Sequence, residues 1–502
     1  MKRIIGDYTG TTWSDFLILP GGLTNGSNFT SEDVDTSVNL AGVNLYIPFL
    51  TAAMRSVTGK ELALAAGKSG MMAVAPRGLA PEKEAEIVAY VKENSVPEGE
   101  ISSLDAPTTV LDTETLGTVI EKSRNTGHSN IPVVTVKYDF RGMFQYKPSK
   151  HDWMDMTRPI TEVMNPYEDG NSLPVCKEKK GKLPDSKIRD YLLEHKLRFV
   201  PVIDRVGRLD RLVFLQNRDA YKIGAALDSH PGWEKRAEKL IEAGADMIFV
   251  DTSDGHKPFP YKLLEKYKDT FSEGPPICGG NIVTPEGFKY MVNAGADVVK
   301  AGMGPGSICT TNIVLGVGAP AFWSLVEVVE ERNKYYQTSG RHIPVIADGG
   351  IETTADIAVA LTGADAIMCG KMFGCFLEAE GERIGRDGKT APRDQIHERD
   401  TVAIRIYGEG SREARETIGD MKRYSAPRSK AGIVTFQGVS GLAECKGRFK
   451  PGVEEYARAL KETMYHVGAR NMREYREKST LIRLSERAKE TARPHGIDLI
   501  GD

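Results

Sequence analysis

The chain has 502 residues, and its 66 Lys plus Arg against 69 Asp plus Glu leave a formal net charge of −3. That balance lacks the basic excess of a protein that grips phosphate backbones, so a dedicated nucleic-acid binder is not expected, although it leaves room for local basic patches. With 40% hydrophobic and 27% charged residues and no run of about 18 apolar residues, the composition is that of a globular chain without a membrane span. The start, MKRIIGDYTGTTW, has no secretory apolar stretch, so a cytoplasmic protein is expected. Six cysteines without a CxxC pair indicate neither a zinc ribbon nor a disulfide framework. Glycine is over-used: 51 residues are roughly a tenth of the chain, against a usual ~7%.

In chain order, the first apolar runs are YIPFLTAAM (46–54) and GMMAVAP (70–76), both read as buried strands. Residues 101–222 then break the rhythm with two similar passages that end in strand text, SNIPVVTV (129–136) and KIRDYLLEHKLRFVPVID (187–204). They read as an inserted pair of modules. Beyond them, AGADMIFVD (243–251), AGADVVKAG (294–302) and TGADAIMCG (362–370) echo one another, each a helix-like stretch, a Gly-Ala-Asp turn and a short apolar strand. PPICGGN (275–281) and HIPVIADGG (342–350) add further strands. This grammar of repeated βα units predicts an α/β fold, a (β/α)8 barrel, with an open doubly wound sheet as the alternative. No strand-linked GxGxxG supports that alternative. The polar stretch 379–435 has little periodicity and reads as a disordered loop or a mobile flap. The expected layout is a first barrel part over 1–100, the inserted pair over 101–222, and a second barrel part over 223–502.

The decapeptide GMGPGSICTT (302–311) concentrates the chemistry. Gly302, Gly304 and Gly306 at alternate positions allow positive φ and close approach to a ligand. Cys309 is then presented on a loop after a strand, where ligands sit in such folds. A core cysteine would have apolar neighbours; this one is flanked by hydroxyl residues, which favours a nucleophile. The other five cysteines read as structural.

GMGPGSICTT closely resembles the cysteine loop of the IMP (inosine 5′-monophosphate) dehydrogenase family. The likeness continues in family order through WSDFLILP (13–20), AAMRSVT (52–58), DTSDGH (251–256), GGN (279–281), ADGGI (347–351), MCGK (368–371), YGEGS (407–411) and the pair Arg423–Tyr424. The inserted region resembles the two cystathionine-β-synthase-type (CBS) repeats which that family carries inside a TIM barrel. The resemblance implies oxidation of IMP to xanthosine 5′-monophosphate, the committed step of guanine nucleotide synthesis, with NAD as hydride acceptor. Cys309 would add to C2 of the purine, hydride would leave to NAD, and water would hydrolyse the thioimidate.

For hydrolysis, the family pattern implies Arg423 and Tyr424 on a catalytic flap, with Thr311 also contacting the water. Gln437 stands where many microbial members carry a glutamate able to relay a proton; FQGVSG (436–441) instead resembles the animal form. For substrate, Asp348 matches the carboxylate that takes both ribose hydroxyls. Ser307, Gly350 and Gly370 match backbone donors to phosphate. Lys371, where many members have serine, puts an ammonium beside that phosphate. Met54 matches a residue packed on the purine, and it is followed by Arg55 where an acid is common. The family tyrosine falls on Ile406, leaving open whether Tyr407 substitutes. For NAD, Asp251, Thr252, Ser253 and Asn281 match the nicotinamide-ribose side. Carbonyls of Gly304, Gly306 and Cys309 match a potassium site, although the usual tail motif of that site is absent from ARPHGIDLIGD.

Two rivals are weighed. GMP (guanosine 5′-monophosphate) reductase resembles the barrel and cysteine loop, but is expected to be much shorter, without the inserted pair and the Arg-Tyr flap. A catalytically silent nucleotide sensor would use the CBS-type pair for adenine or guanine nucleotides, but would have no need of Cys309, Thr311, Asp348 and Arg423. The resemblance also implies a homotetramer, and neither membrane nor nucleic acid as partner.

Overall fold

Eight short segments, seven of them the apolar runs read from the sequence, become the parallel strands of a closed barrel: β1 Phe49–Thr51, β2 Met72–Ala75, β3 Lys222–Leu227, β4 Met247–Val250, β5 Ile277–Ile282, β6 Val298–Ala301, β7 Val345–Asp348 and β8 Ala366–Cys369, with β8 pairing back onto β1. Successive side chains of a strand point to opposite faces, which sorts the residues into two layers. Leu50, Met72, Val74, Ala226, Met247, Phe249, Cys278, Val298, Ile346, Ala366 and Met368 form one buried cluster inside the barrel. Their neighbours Phe49, Ala73, Ile248, Ile277, Val299, Val345 and Ile367 belong to the cluster under the helices. The hairpin Val38–Leu40/Val43–Leu45 adds Leu40, Val43 and Leu45 to the inner cluster.

This computed structural model describes residues 3–21, 29–95, 101–105, 107–126, 130–146, 151, 154–167, 174–177, 183–195, 197, 199–215, 221–229, 231–418 and 435–492. Around the barrel lie helices α1 Lys60–Lys68, α2 Pro81–Glu93, α3 Trp233–Glu242, α4 Pro258–Thr270, α5 Pro285–Asn293, α6 Ala321–Ser339, α7 Thr354–Leu361 and α8 Phe449–Val467. Among the described residues no helix is long and apolar enough to cross a membrane.

The repeated Gly-Ala-Asp turns have an architectural cause. Each aspartate leads into a strand and ties it to the start of a neighbour: Asp246 accepts from the Ile223 amide at 2.8 Å, Asp297 from Ile277 at 2.9 Å and Asp365 from Val345 at 2.9 Å. A cation backs each carboxylate: Lys92 at 2.6 Å, Lys268 at 2.5 Å and Arg332 at 2.8 Å. The repeat is therefore a strand-alignment device.

Two sequence readings need correction. The eighth strand, β3, was not among the apolar runs, because Gly224, Ala225 and Ala226 carry too little side chain to stand out beside the insertion. The stretch 379–435 is largely ordered where it is described: β9 Arg383–Gly385, β10 Thr390–Ala391, β11 Thr401–Tyr407 and β12 Ser440–Glu444 form a four-stranded sheet in the order β10-β9-β11-β12. Ile404 and Ile406 of β11 are buried at alternate positions, and the intervening Arg405 hides that period in the sequence.

The chain divides into two compact units, Met1–Ser95 with Tyr221–Asp502, and Val96–Ala220. Among its described residues the second unit holds two sheets. In one, Asn130–Val134 and Phe140–Gln145 pair antiparallel; in the other, Phe199–Ile203 and Leu209–Leu215 do the same. A helix belongs to each module, Leu116–Thr126 and Asp185–Glu194. At the junction the Tyr221 amide donates to Ser95 Oγ at 3.1 Å, so the two ends of the barrel chain already touch. Replacing residues 97–219 by a short Gly/Ser linker is therefore expected to leave a folded barrel, checked by a cooperative thermal transition of the shortened chain; a collapsed, non-cooperative product would contradict this independence.

Candidate active site

Ligand sites in barrels of this kind gather where the strands end at their C-terminal side. Here the last inward positions of β6 and β7 are Lys300 and Asp348, and an open cavity of about 1010 Å³, mouth included, lies over them. Of the residues singled out in the sequence, Met54, Asp251, Thr252, Ser253, Asn281, Gly304, Gly306, Cys309, Thr311, Asp348 and Gln437 line it together. They come from the ends of five strands or the loops that follow them, and from the segment before β12, separated by up to several hundred residues of chain.

The cysteine loop follows β6. Gly302 has φ +133°, and a Cβ there would stand 2.2 Å from the Asp348 carbonyl oxygen, so only glycine lets this loop pass over the end of β7. Gly304 has φ +91° and faces Asn312 equally closely. Gly306, contrary to the sequence reading, is not among the positive-φ glycines; its carbonyl accepts from the Cys309 amide at 2.9 Å. Cys309 Sγ lies 3.1 Å from Thr311 Oγ1, and that hydroxyl donates to Gln437 Oε1 at 3.3 Å. A threonine has one hydroxyl proton; giving it to Gln437 leaves the oxygen to accept from the Cys309 thiol. Backbone bonds fix the partner strand: Thr310 N–H to the Gln437 carbonyl at 3.2 Å and Val439 N–H to the Ile308 carbonyl at 3.0 Å.

The other five cysteines are poor nucleophiles. Burial pushes the thiols of Cys176 and Cys375 up to about 11 and that of Cys278 up to about 12, raises Cys369 further, and raises Cys445 as well.

Beneath the cysteine loop, Asp348 Oδ2 accepts from Asn281 Nδ2 at 2.8 Å and from Lys300 Nζ, while Lys300 also donates to Asn281 Oδ1. Lys300 is 6% exposed, a buried ammonium neutralised by Asp348. Sequence reading missed it; the signal was a single lysine inside an otherwise apolar strand. On the opposite wall, Asp251 meets Arg77 Nε at 3.3 Å, Arg77 in turn holds Asp228 at 3.0 Å, and Thr252 Oγ1 donates to the Gly280 carbonyl at 2.6 Å.

Other expected residues lie outside that lining. Gly349, not Gly350, faces the cavity; Gly350 packs against Pro305 and Trp13. Gly370 lies against the Met54 sulfur. Ser307 and Lys371 converge on one residue the sequence reading overlooked, Glu352: Ser307 Oγ donates to Glu352 Oε1 at 2.7 Å and Lys371 Nζ stands 3.4 Å from the same oxygen. Lys371 thus faces a carboxylate, although it was expected beside a phosphate. Tyr407 sits behind the wall with the Arg55 guanidinium 5.7 Å from its ring centre, and burial raises its phenol. Arg55 also pairs with Glu409, a cavity residue, at 3.3 Å. Arg423 and Tyr424 lie outside the described residues.

The sequence profile of the IMP dehydrogenase / GMP reductase domain matches residues 10–495. The chain belongs to this family. Among curated members, the inosine-5′-monophosphate dehydrogenase of Yersinia pestis is 30% identical over 97% of this chain and 96% of its own. Those of Aquifex aeolicus and Methanocaldococcus jannaschii are 29% identical, over 98% and 99% of this chain and 96% and 97% of theirs. A crystal structure of a cysteine-to-alanine variant of Trypanosoma brucei GMP reductase, in complex with guanosine 5′-monophosphate, shares the fold with a TM-score of 0.66 at 24% identity. It covers 98% of both chains. This corrects one expectation: a GMP reductase can match this IMP dehydrogenase / GMP reductase family member in length, so length does not separate the two activities.

Proposed function

We propose that this chain oxidises IMP to xanthosine 5′-monophosphate with NAD, through a covalent adduct on Cys309. The observation that carries the reading is the hydrogen-bonded row Cys309, Thr311 and Gln437 at the cavity wall, above the Asp348 carboxylate. Loss of the thiol proton and attack of Sγ on C2 of the purine forms the C–S bond; hydride then leaves C2 for the nicotinamide, giving NADH and a thioimidate. Water attacks C2 and the thiolate leaves, so IMP, NAD and water yield xanthosine 5′-monophosphate, NADH and a proton.

The chain's own groups divide this work. Asp348 holds the ribose hydroxyls; because Asn281 and Lys300 both bind its Oδ2, that oxygen is fixed and the carboxylate cannot rotate away. Met54 packs on the purine. Asp251, Thr252, Ser253 and Asn281 face the nicotinamide ribose, with Asp251 oriented by Arg77. Thr311 orients the water, Gln437 fixes the Thr311 hydroxyl, and Arg423 with Tyr424 activates the water from the flap. A glutamine accepts no proton readily, which leaves the base role to Arg423.

Resemblance to the family also supports a homotetramer, cytoplasmic location, and adenine or guanine nucleotide binding at the CBS-type pair over 101–222. The carbonyl donors of Gly304, Gly306 and Cys309 suit a hard monovalent cation such as potassium, which would hold the shape of the cysteine loop. Rapid-quench analysis tests the flap assignment. In Arg423→Ala, hydrolysis is expected to fall on the order of 10²-fold or more with hydride transfer little changed, so the Cys309 adduct accumulates. Equal loss in both steps would remove Arg423 from the hydrolytic role.

A further inference from the structure

The Ser307, Glu352 and Lys371 cluster is not absorbed by the mechanism above. Ser307 leaves the cysteine loop, Glu352 follows the Gly349–Gly350 turn after β7, and Lys371 follows Gly370 after β8. Three strand-end loops therefore deliver one hydroxyl, one carboxylate and one ammonium to a single spot. In the free protein the carboxylate takes both donors, at 2.7 Å from Ser307 Oγ and 3.4 Å from Lys371 Nζ. The Ser307 bond, opposed by partial burial and aided by Lys371, keeps the Glu352 carboxyl below the usual glutamate range, so it is anionic at neutral pH. The side chains of Glu352 and Lys371 are 50% and 51% exposed, free to turn into solvent without disturbing the core.

We propose that Glu352 is a specificity-determining residue of the phosphate subsite, a built-in carboxylate that a phosphomonoester must displace from Ser307 and Lys371. This rests on the reading that these loops hold a nucleotide phosphate. A carboxylate brings one negative charge and two acceptor oxygens. A phosphomonoester dianion brings nearly two charges and three terminal oxygens, so it outcompetes Glu352 for the same donors. A ligand with no phosphate gains nothing by displacing it. Glu352 therefore lowers affinity for phosphorylated ligands in general, and lowers it least for those that carry the full dianion. Lys371 is shared: it pairs with Glu352 when the subsite is free and with phosphate when it is filled.

Isothermal titration of wild type, Glu352→Gln and Lys371→Gln with IMP, inosine and ribose 5-phosphate tests this. Glu352→Gln keeps the shape and removes the charge, so IMP and ribose 5-phosphate are expected to bind about two- to fivefold more tightly, as for an exposed charge pair, with inosine unchanged. Lys371→Gln is expected to weaken both phosphorylated ligands by a similar factor. Unchanged or weaker binding of both phosphorylated ligands to Glu352→Gln would overturn the inference, as would tighter inosine binding. If ribose 5-phosphate responds as expected while IMP is not oxidised by wild type, the inference stands and the proposed reaction fails. If IMP is oxidised but neither phosphorylated ligand responds, the reverse holds.

Discussion

Cys309→Ala forms no measurable NADH from IMP and NAD, a loss on the order of 10⁴-fold or more in kcat, as expected when the only group able to make the covalent bond is removed. The variant keeps its fold, because Cys309 is only partly buried and its hydrogen-bonding partner Thr311 retains Gln437. Thermal melting of wild type and variant should therefore nearly coincide. None of the other cysteines can substitute: Cys278 inside the barrel and Cys369 on the face under the helices are both buried with raised thiols, and Cys176, Cys375 and Cys445 do not line the cavity. Retention of more than about a hundredth of wild-type activity would show that hydride leaves without prior attack by sulfur.

Asp365→Ala is expected to give the largest loss of stability of any single polar substitution in the barrel, about 3–5 kcal/mol by urea unfolding. Its carboxylate is 3% exposed and meets Arg332 at 2.8 Å, His342 at 3.2 Å, Arg476 at 3.4 Å and the Val345 amide at 2.9 Å. Removing it strands the Arg332 guanidinium, itself buried, and frees the start of β7 from β8. Burial alone would raise this carboxyl. Arg332, the His342 hydrogen bond and Arg476 outweigh it and hold the group far below the usual carboxylate range. A depressed native pKa means that the stabilisation is present above the unfolded value of about 4 and is lost as pH falls below it. The gap between wild type and Asp365→Ala should therefore be constant near neutrality and close in acid. A destabilisation under about 1 kcal/mol at neutral pH would deny the Gly-Ala-Asp turns their role in aligning strands.

Much of the barrel was legible because burial on both faces writes each parallel strand as an apolar run, as in MIFV of β4 or AIMC of β8. β3 escaped because its inward and outward positions are Gly224, Ala225 and Ala226, small residues that pack without announcing themselves. The sheet of β9 to β12 escaped for another reason: its half-exposed strands alternate Ile with Arg and Ala, and so resemble surface loop. In the site, Cys309 was readable from its glycine-rich loop after a strand, whereas Asp348 and Asp251 were singled out by resemblance to the family. Lys300 was readable in principle, as a charge no apolar strand carries without a partner. The convergence of Ser307, Glu352 and Lys371 was not, since each is an ordinary polar residue after a different strand and only barrel closure brings them together.

The central claim is a reaction, and purified protein supplies the direct test: NADH absorbance followed with IMP and NAD, beside NADPH absorbance followed with GMP and NADPH. The account predicts steady NADH formation with xanthosine 5′-monophosphate as product, and no consumption of NADPH. NADPH consumed with GMP, with IMP and NAD inert, would contradict it and assign the chain to the reductase branch of its family.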